Sequence, residues 1–233
     1  MINNKLNFGN FYPLMENHFP LCSLDQEIID KFHSLYFRLN EKKPGLMLSW
    51  MGYQVGKLPG DLWLYQELLF KLKPDVIIEC GTHRGGSALF FANILQLLGN
   101  GRVLTVDLYP KENLPSHALI TYFNGSSTDL NVFQNISKSI NENEKVLIIL
   151  DSNHTRDHVL EEMCLYKNLV SSGSYLVIED TFLNGHPSHE NYGPGPMEAI
   201  DDFLLINSDF EVDRSLEKFL FTLNRRGFLR RIK

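Results

Sequence analysis

Cysteine is scarce: Cys22, Cys80 and Cys164 are the only three in a chain of 233 residues. An odd number without ligand-like spacing indicates neither a disulfide framework nor a thiolate zinc site, so a reducing compartment is expected. Long apolar runs are missing too, since no uncharged stretch approaches the roughly 20 residues needed to span a bilayer. The opening Met1-Ile2-Asn3-Asn4-Lys5 lacks the basic region and apolar core of a signal peptide, and the expectation is a cytoplasmic protein without a membrane partner. Positive charge is in deficit as well. A net charge of -6 argues against nucleic acid, whose phosphates demand clustered Lys and Arg. The one dense basic run, Arg225-Arg226 with Arg230, Arg231 and Lys233, reads as surface charge. Internal repeats and low-complexity tracts are absent, and a composition of 43% hydrophobic and 21% charged residues is that of an ordinary globular chain.

What the chain does have is a recurring pattern of apolar runs that end on carboxylates. These are Val76-Ile77-Ile78-Glu79, Val103-Leu104-Thr105-Val106-Asp107, Val146 to Leu150 before Asp151, and Tyr175 to Ile178 before Glu179-Asp180. Runs without polar alternation are typical of strands buried on both faces, and the residues past their carboxyl ends line the ligand crevice of an open α/β sheet. The acids are therefore expected to meet at one edge.

Between these runs the pattern alternates strand and helix. Strands are expected at 75–80, 102–107, near 118–123, at 145–150 and at 174–179, with helices at 86–98, 128–140, 156–170 and near 197–206. Right-handed crossovers then give a mainly parallel sheet with helices on both faces. Two runs close the chain, Phe210 to Asp213 and Phe219 to Leu223, the latter leading through Arg225-Arg226-Gly227 to Phe228-Leu229. With no crossover helix between them, the last strand is expected to enter antiparallel. Upstream, Leu24 to Asn40 has helical spacing with Ile28, Ile29, Phe32, Leu35 and Tyr36 on one side, and a second helix begins near Pro59. Both are expected to cap one side of the sheet. Residues 1–58 read as an N-terminal extension with a helical cap, and 59–233 as the main domain.

The turn Gly81-Thr82-His83-Arg84-Gly85-Gly86-Ser87 sits among the acids and leads into a helix. A dinucleotide fingerprint starting at Gly81 needs glycine at 83, where this chain has His83, and that glycine is the one that admits a pyrophosphate. A nicotinamide cofactor is disfavoured. Glu79-x-Gly81 with Gly85-Gly86-Ser87 suits a ligand without phosphates, and Asp107 stands where a carboxylate can accept two ribose hydroxyls. The alternative is a tight strand-to-helix turn with no ligand.

The combined motifs resemble the cephalosporin hydroxylase and rhamnosyl O-methyltransferase family. The residues that carry the likeness are Trp50-Met51-Gly52-Tyr53, Lys57-x-Pro59-x-Asp61-Leu62-Trp63-x-Tyr65-Gln66-Glu67, the glycine turn from Glu79 to Ser87, and Asp151-Ser152-x-His154-x-x-x-His158-Val159. They continue with Glu179-Asp180-Thr181, Gly193-Pro194-Gly195-Pro196 and Glu217-Lys218-x-Leu220-x-Thr222-x-Asn224-x-x-Gly227-Phe228-Leu229, covering about residues 45 to 231. The resemblance implies a class I S-adenosylmethionine-dependent methyltransferase fold, Rossmann-like, with seven strands of which one near the C-terminus is antiparallel. It implies a cofactor site of Glu79, Gly81, Gly85, Ser87, Asp107 and Asp151, with Ser126 and Ser127 toward the adenine. Lys57 and Arg84 either approach the methionine carboxylate or are solvated surface charges. The family further implies a homo-oligomer and, as acceptor, a sugar, glycoconjugate or secondary metabolite.

Asp151, Glu179 and Asp180 end two strands expected to be neighbours. Three carboxylates that close repel one another, so a bound cation is the economical explanation, and hard oxygen ligands indicate Mg²⁺ over zinc. The resemblance implies magnesium at the same positions. In the alternative, Asp151 caps the following helix and Glu179 pairs with Arg84 or Arg156. His154 is the candidate general base, with Asp151 beside it as a second catalytic group. His158 either orients His154 or packs. His186 and His189, in a loop from Thr181 to Pro196 with the character of a lid, are expected to be solvent-exposed. Trp50, Tyr53, Trp63, Phe182 and Tyr192 either wall a substrate site or serve as core. The expected reaction is Mg²⁺-dependent methylation of one hydroxyl of a vicinal diol. Competing readings are a non-catalytic S-adenosylmethionine-binding subunit, a metal-dependent hydroxylase and a nicotinamide oxidoreductase.

Overall fold

The computed structural model describes residues 21–41, 48–109 and 111–233. The aromatic segment 1–20 lies outside the described residues. The chain runs α1 (Ser23–Glu41), β1 (Leu48–Trp50), β2 (Tyr53–Val55), α2 (Pro59–Leu72), β3 (Val76–Cys80), α3 (Gly86–Leu98), β4 (Arg102–Asp107) and β5 (Ile120–Asn124). It continues with α4 (Leu130–Lys138), β6 (Val146–Leu150), α5 (Arg156–Tyr166), β7 (Tyr175–Ile178), α6 (Pro196–Ile206), β8 (Phe210–Val212) and β9 (Phe228–Arg231). Seven strands form one sheet in the order β5-β4-β3-β6-β7-β9-β8. All neighbours are parallel except β9, which pairs antiparallel with both β7 and β8. This is the α/β architecture expected from the sequence, including the antiparallel entry of the last strand.

The uninterrupted apolar runs are explained by two cores. Ile78, Leu104, Val106, Ile148, Leu150 and Ile178 face one side, where Ile136 of α4, Met163 and Tyr166 of α5, and Ile200 and Phe203 of α6 cover them. Ile77, Val103, Leu147, Ile149 and Val177 face the other, against Leu64, Tyr65 and Leu68 of α2 and Phe91 and Leu95 of α3. With side chains alternating across the sheet and both faces covered, the central strands are apolar on both sides, and the buried polar pair Glu79 and Thr105 lies toward their carboxyl ends.

Three elements differ from the sequence expectation. β1 and β2 form a hairpin that was not foreseen; its turn places Met51 (φ 50°) and Gly52 (φ 87°) in the left-handed region, as a tight two-residue turn requires. Phe219 to Leu223 is an irregular strap instead of a strand, because its backbone bonds to α2: the Leu223 amide donates to Asp61 Oδ2 at 3.0 Å. Helix α1 does not lie on a face of the sheet. It packs over the loops beyond β7, where Phe37 stacks on Phe182 at 4.2 Å and His33 meets Phe221 edge-on at 4.4 Å. Its buried residues are consequently Ile29 and His33, whereas Leu24, Ile28, Phe32, Leu35 and Leu39 are exposed.

The C-terminal cations are not loose surface charge. Arg225 pairs with Asp30 and Arg226 with Asp201, while Arg231 donates to the Val170 carbonyl. At the opposite sheet edge Arg102 grips Glu144 through two nitrogens, at 2.5 and 2.8 Å. That bond to Arg102 holds the Glu144 carboxyl down at about 2, below its ordinary 4.5. A depressed carboxyl contributes stability that is complete above its unfolded value and lost as pH falls through the folded one. Thermal melts from pH 6 to pH 2 are therefore expected to lose this contribution between 4.5 and about 2, and Glu144→Gln to flatten that part of the profile.

Candidate active site

Backbone bonding aligns the strand ends that carry the acids. The Gly81 amide donates to the Val106 carbonyl at 2.8 Å, Asp151 to Cys80 at 2.8 Å and Glu179 to Leu150 at 3.0 Å. Gly81 adopts φ 103°, and a Cβ there would fall 1.9 Å from the Asp151 carbonyl oxygen, so only glycine permits the turn after β3 to abut the end of β6. His83, in the place of the missing fingerprint glycine, takes the left-handed conformation itself (φ 47°). Its amide points at Asp107 Oδ2, 2.7 Å away, and the Tyr109 amide binds Oδ1 at 2.8 Å. Asp107 thus staples the glycine turn to the end of β4 while each oxygen keeps a free lone pair.

Glu79 is fully buried beneath this turn. Its Oε2 accepts the Thr105 hydroxyl at 2.7 Å, and its Oε1 has no hydrogen-bond partner among the described residues. Burial pushes its carboxyl up to about 7, against the pull of the Lys57 ammonium. Ser87 is buried in the first turn of α3, Gly85 caps that helix with φ 75°, and Arg84 is exposed. After β5, Gly125 bonds back to the Asp107 carbonyl at 3.0 Å, setting Ser126 and Ser127 beside the same edge. Ser127 is held from behind by α5: Tyr166 donates to its carbonyl at 2.9 Å and its Oγ lies 3.3 Å from His158 Nε2. His158 also meets Ser152 Oγ at 3.2 Å and Glu162 at 3.5 Å. It therefore ties the Ser127 turn to α5, and no contact joins it to His154.

The second half of the site is ionic. Lys57 Nζ lies 2.9 Å from Asp151 Oδ2 and 2.7 Å from Glu179 Oε1, and the Tyr65 hydroxyl donates to that same Oε1 at 2.5 Å. The Lys57 and Glu179 side chains are each 1% exposed. Lys57 is accordingly neither a surface charge nor free to meet a carboxylate from outside. Glu179 pairs with Lys57, not with Arg84 or Arg156; the latter is bound to Asp202 and Asp157. Nor does Asp151 cap α5, whose N-cap is Thr155. On the open side, His154 Nε2 stands 3.1 Å from Asp180 Oδ2, both side chains about a quarter exposed or less. Donor atoms of Asp151, His154 and Asp180 all lie within 4.8 Å of one another. The carboxylates thus divide into an inner one, Glu179, facing Lys57 and Tyr65, and an outer one, Asp180, facing His154, with Asp151 paired to Lys57 and within 4.8 Å of the outer pair.

Burial raises the carboxyl of Glu179, to about 8, and that of Asp180, to about 6, against the attraction of Lys57 and His154 respectively. Burial opposes the charge on Lys57, but Asp151 and Glu179 outweigh it and raise the ammonium pKa. Asp180 sits in the left-handed region (φ 56°), and the Asn224 side chain receives its amide at 3.3 Å. Tyr65 and Asn224 are the site residues that sequence reasoning did not single out as such. Both had only their places in the family motifs, with no role attached.

Of the aromatic candidates, Phe182 is core beneath α1, and Trp50 packs edge-on against Phe90 with its indole donating to Asn93 at 2.8 Å. Trp63 and Tyr192 are exposed, and Tyr53 is half-buried. His186 is not simply solvated: it meets Glu198 at 2.8 Å, and Glu198 also receives Asn184 and the Gly195 amide, tying the 181–196 loop to the start of α6. His189 is exposed, with its ring edge-on to Phe37 and Phe182.

The strap is the least redundant part of this architecture. Asp61, 2% exposed, accepts the Leu223 amide, and losing it leaves a buried donor unsatisfied. Asp61→Ala is expected to cost about 1–3 kcal/mol in urea unfolding, with Asp61→Asn retaining the acceptor and most of the stability.

Residues 45–232 match the family model Rhamnosyl O-methyltransferase/CmcI. A Rhamnosyl O-methyltransferase of Mycobacterium tuberculosis H37Rv is 42% identical over 193 residues, covering 78% of this chain and 77% of its own. The Mycobacterium leprae protein of the same name is 41% identical over 187 residues, covering 78% and 82%. Among solved structures, the one described as cmcI-D160 Mg-SAM superposes with a TM-score of 0.62 at 23% identity, over 80% of this chain and 77% of that one. The glycine turn, the acid-ended strands and the strap motif therefore have one common explanation: the chain belongs to the Rhamnosyl O-methyltransferase/CmcI family.

Proposed function

We propose that this methyltransferase transfers the methyl group of S-adenosylmethionine to a sugar hydroxyl that has a second hydroxyl beside it, with a magnesium ion at the carboxylate edge. The observation that carries this reading is the convergence of Asp151, His154 and Asp180 next to the glycine turn. The residues present fit both groups. Glu79 has a buried carboxylate oxygen at the turn with no hydrogen bond among the described residues, suited to the cationic end of the cofactor, and Asp107 keeps lone pairs for ribose hydroxyls. Gly81, Gly85 and Ser87 supply close backbone approach, Ser126 and Ser127 the adenine side, and Arg84 a cation for the methionine carboxylate. Lys57 drops out of the cofactor set, because its ammonium is already shared by two carboxylates. For the metal, Asp151, Glu179 and Asp180 supply hard oxygen donors.

Bound there, magnesium would supply Lewis acidity that lowers the pKa of an acceptor hydroxyl. His154 takes the proton. Asp180 holds His154 at Nε2, which leaves Nδ1 as the basic nitrogen, as in any carboxylate-oriented imidazole. The acid-lined edge and the 181–196 loop orient the acceptor toward the cofactor, and orientation contributes more here than any covalent step. The family relatives named rhamnosyl O-methyltransferases support a deoxyhexose on a glycoconjugate as the acceptor. An exposed row on α1, Leu24, Ile28, Leu35 and Leu39, supports assembly into a homo-oligomer; a monomer mass in light scattering of the full chain would exclude it.

The test is formation of S-adenosylhomocysteine from S-adenosylmethionine, Mg²⁺ and rhamnosides, with deoxy analogues that lack the neighbouring hydroxyl as controls. His154→Ala is expected to lower kcat by about 10²–10⁴-fold while calorimetric binding of S-adenosylhomocysteine persists. Chelator is expected to abolish turnover. Undiminished turnover by Asp151→Ala in chelator would rule out the metal part of the reading.

A further inference from the structure

Lys57 is the one buried cation in contact with the site acids among the described residues, and no step of the reaction above uses it. Its ammonium bridges Asp151 and Glu179 at 2.9 and 2.7 Å from the interior side, with 1% of its side chain exposed. The opposite side of the cluster, formed by Asp151, His154 and Asp180, is partly open, each side chain being 21 to 25% exposed. A cation reaching the acids from solvent thus meets a cluster whose inner half is already compensated. Counted as three carboxylates and one ammonium, the cluster carries a formal charge of minus two, the charge that a divalent ion neutralises.

We propose that Lys57 is a built-in counter-ion that keeps Glu179 and Asp151 assembled at the sheet edge and sets the charge this site offers to a divalent cation. The proposal rests on the metal reading given above. In this role Lys57 is a positioning residue: it touches neither acceptor nor reacting atoms. It does two things at once. Without metal it prevents the inner carboxylates from repelling one another, so the strand ends stay closed. With metal it weakens binding, because the ammonium and the ion are like charges sharing Asp151. A site kept at moderate affinity releases and reacquires its ion readily, and the fold does not depend on the ion being there.

The experiment is titration of the full-length protein with Mn²⁺, followed by the electron paramagnetic resonance of the free ion, together with thermal melts with and without Mn²⁺. Lys57→Met is expected to bind Mn²⁺ about tenfold more tightly or better, to melt lower than wild type without metal, and to regain more stability than wild type when Mn²⁺ is added. The conservative variant Lys57→Arg keeps the formal charge of minus two with every carboxylate in place; it is expected to fold without metal and to bind Mn²⁺ within about threefold of wild type. Wild-type binding combined with unchanged or weaker binding by Lys57→Met would overturn the counter-ion role alone. So would weakened affinity for S-adenosylhomocysteine with Mn²⁺ affinity intact, which would make Lys57 a cofactor ligand. If Lys57→Met does not fold, a Lys57→Arg variant that also fails to fold without metal, or whose Mn²⁺ affinity departs more than tenfold from wild type, overturns the proposal. A wild-type protein that binds no Mn²⁺ in the presence of S-adenosylhomocysteine removes the metal reading and this inference together.

Discussion

The contact on which the site depends is the Lys57 ammonium lodged between Asp151 and Glu179. Two carboxylates at the ends of adjacent parallel strands would repel across low-dielectric surroundings, and removing one partner of such a buried group typically costs about 3–5 kcal/mol. Lys57 reaches them from outside the sheet, on the segment between β2 and α2. For that reason the hairpin before it has to be anchored: Trp50 packs on Phe90 and bonds to Asn93, and Gly86 is so close to the Gln54 carbonyl that a Cβ would fall 2.1 Å from it. The position of one charge thus explains why a short hairpin and the glycine at the start of α3 are built as they are.

A second tie works from the other end of the chain. Asp61 of α2 receives Leu223, Thr181 donates to the Leu223 carbonyl at 3.2 Å, and Asn224 receives the Asp180 amide. The strap between β8 and β9 is stitched both to the helix that follows Lys57 and to the backbone of the outer acid. Asp180 can then occupy a left-handed conformation that an isolated aspartate would visit only at a cost. The same strap carries Phe221, against which α1 packs, so the N-terminal helix is joined to the site through aromatic contacts and not through the sheet.

Much of this was legible in the residues. Apolar runs without polar alternation located β3, β4, β6 and β7, and helix α3 fell on residues 86–98 because glycines stand at both of its ends. The identity of the acids followed from where those runs stop. The strap was misread because Phe219 to Leu223 has the apolar, β-prone composition of a strand; its Leu223 amide goes to the Asp61 side chain of α2, a partner 162 residues away in sequence. The face of α1 was misread for a related reason. The helix has apolar residues on more than one side, and periodicity does not say which side finds a partner.

The sequence by itself determined the strand order of chemistry: a glycine turn, then Asp107, then Asp151 with His154, then Glu179-Asp180, each at the carboxyl end of a buried strand. Parallel crossovers of fixed hand then bring these to one edge whatever the details. The sequence could not say which carboxylate faces inward. Glu179 and Asp180 are adjacent in the chain, yet one is sealed against Lys57 and Tyr65 and the other opens toward His154. That division was decided only by tertiary structure, because it follows from the direction the backbone takes after β7 and from which cation the packing of α2 and its preceding segment delivers. Charge partners come from any distance along a chain, and local pattern carries no record of them.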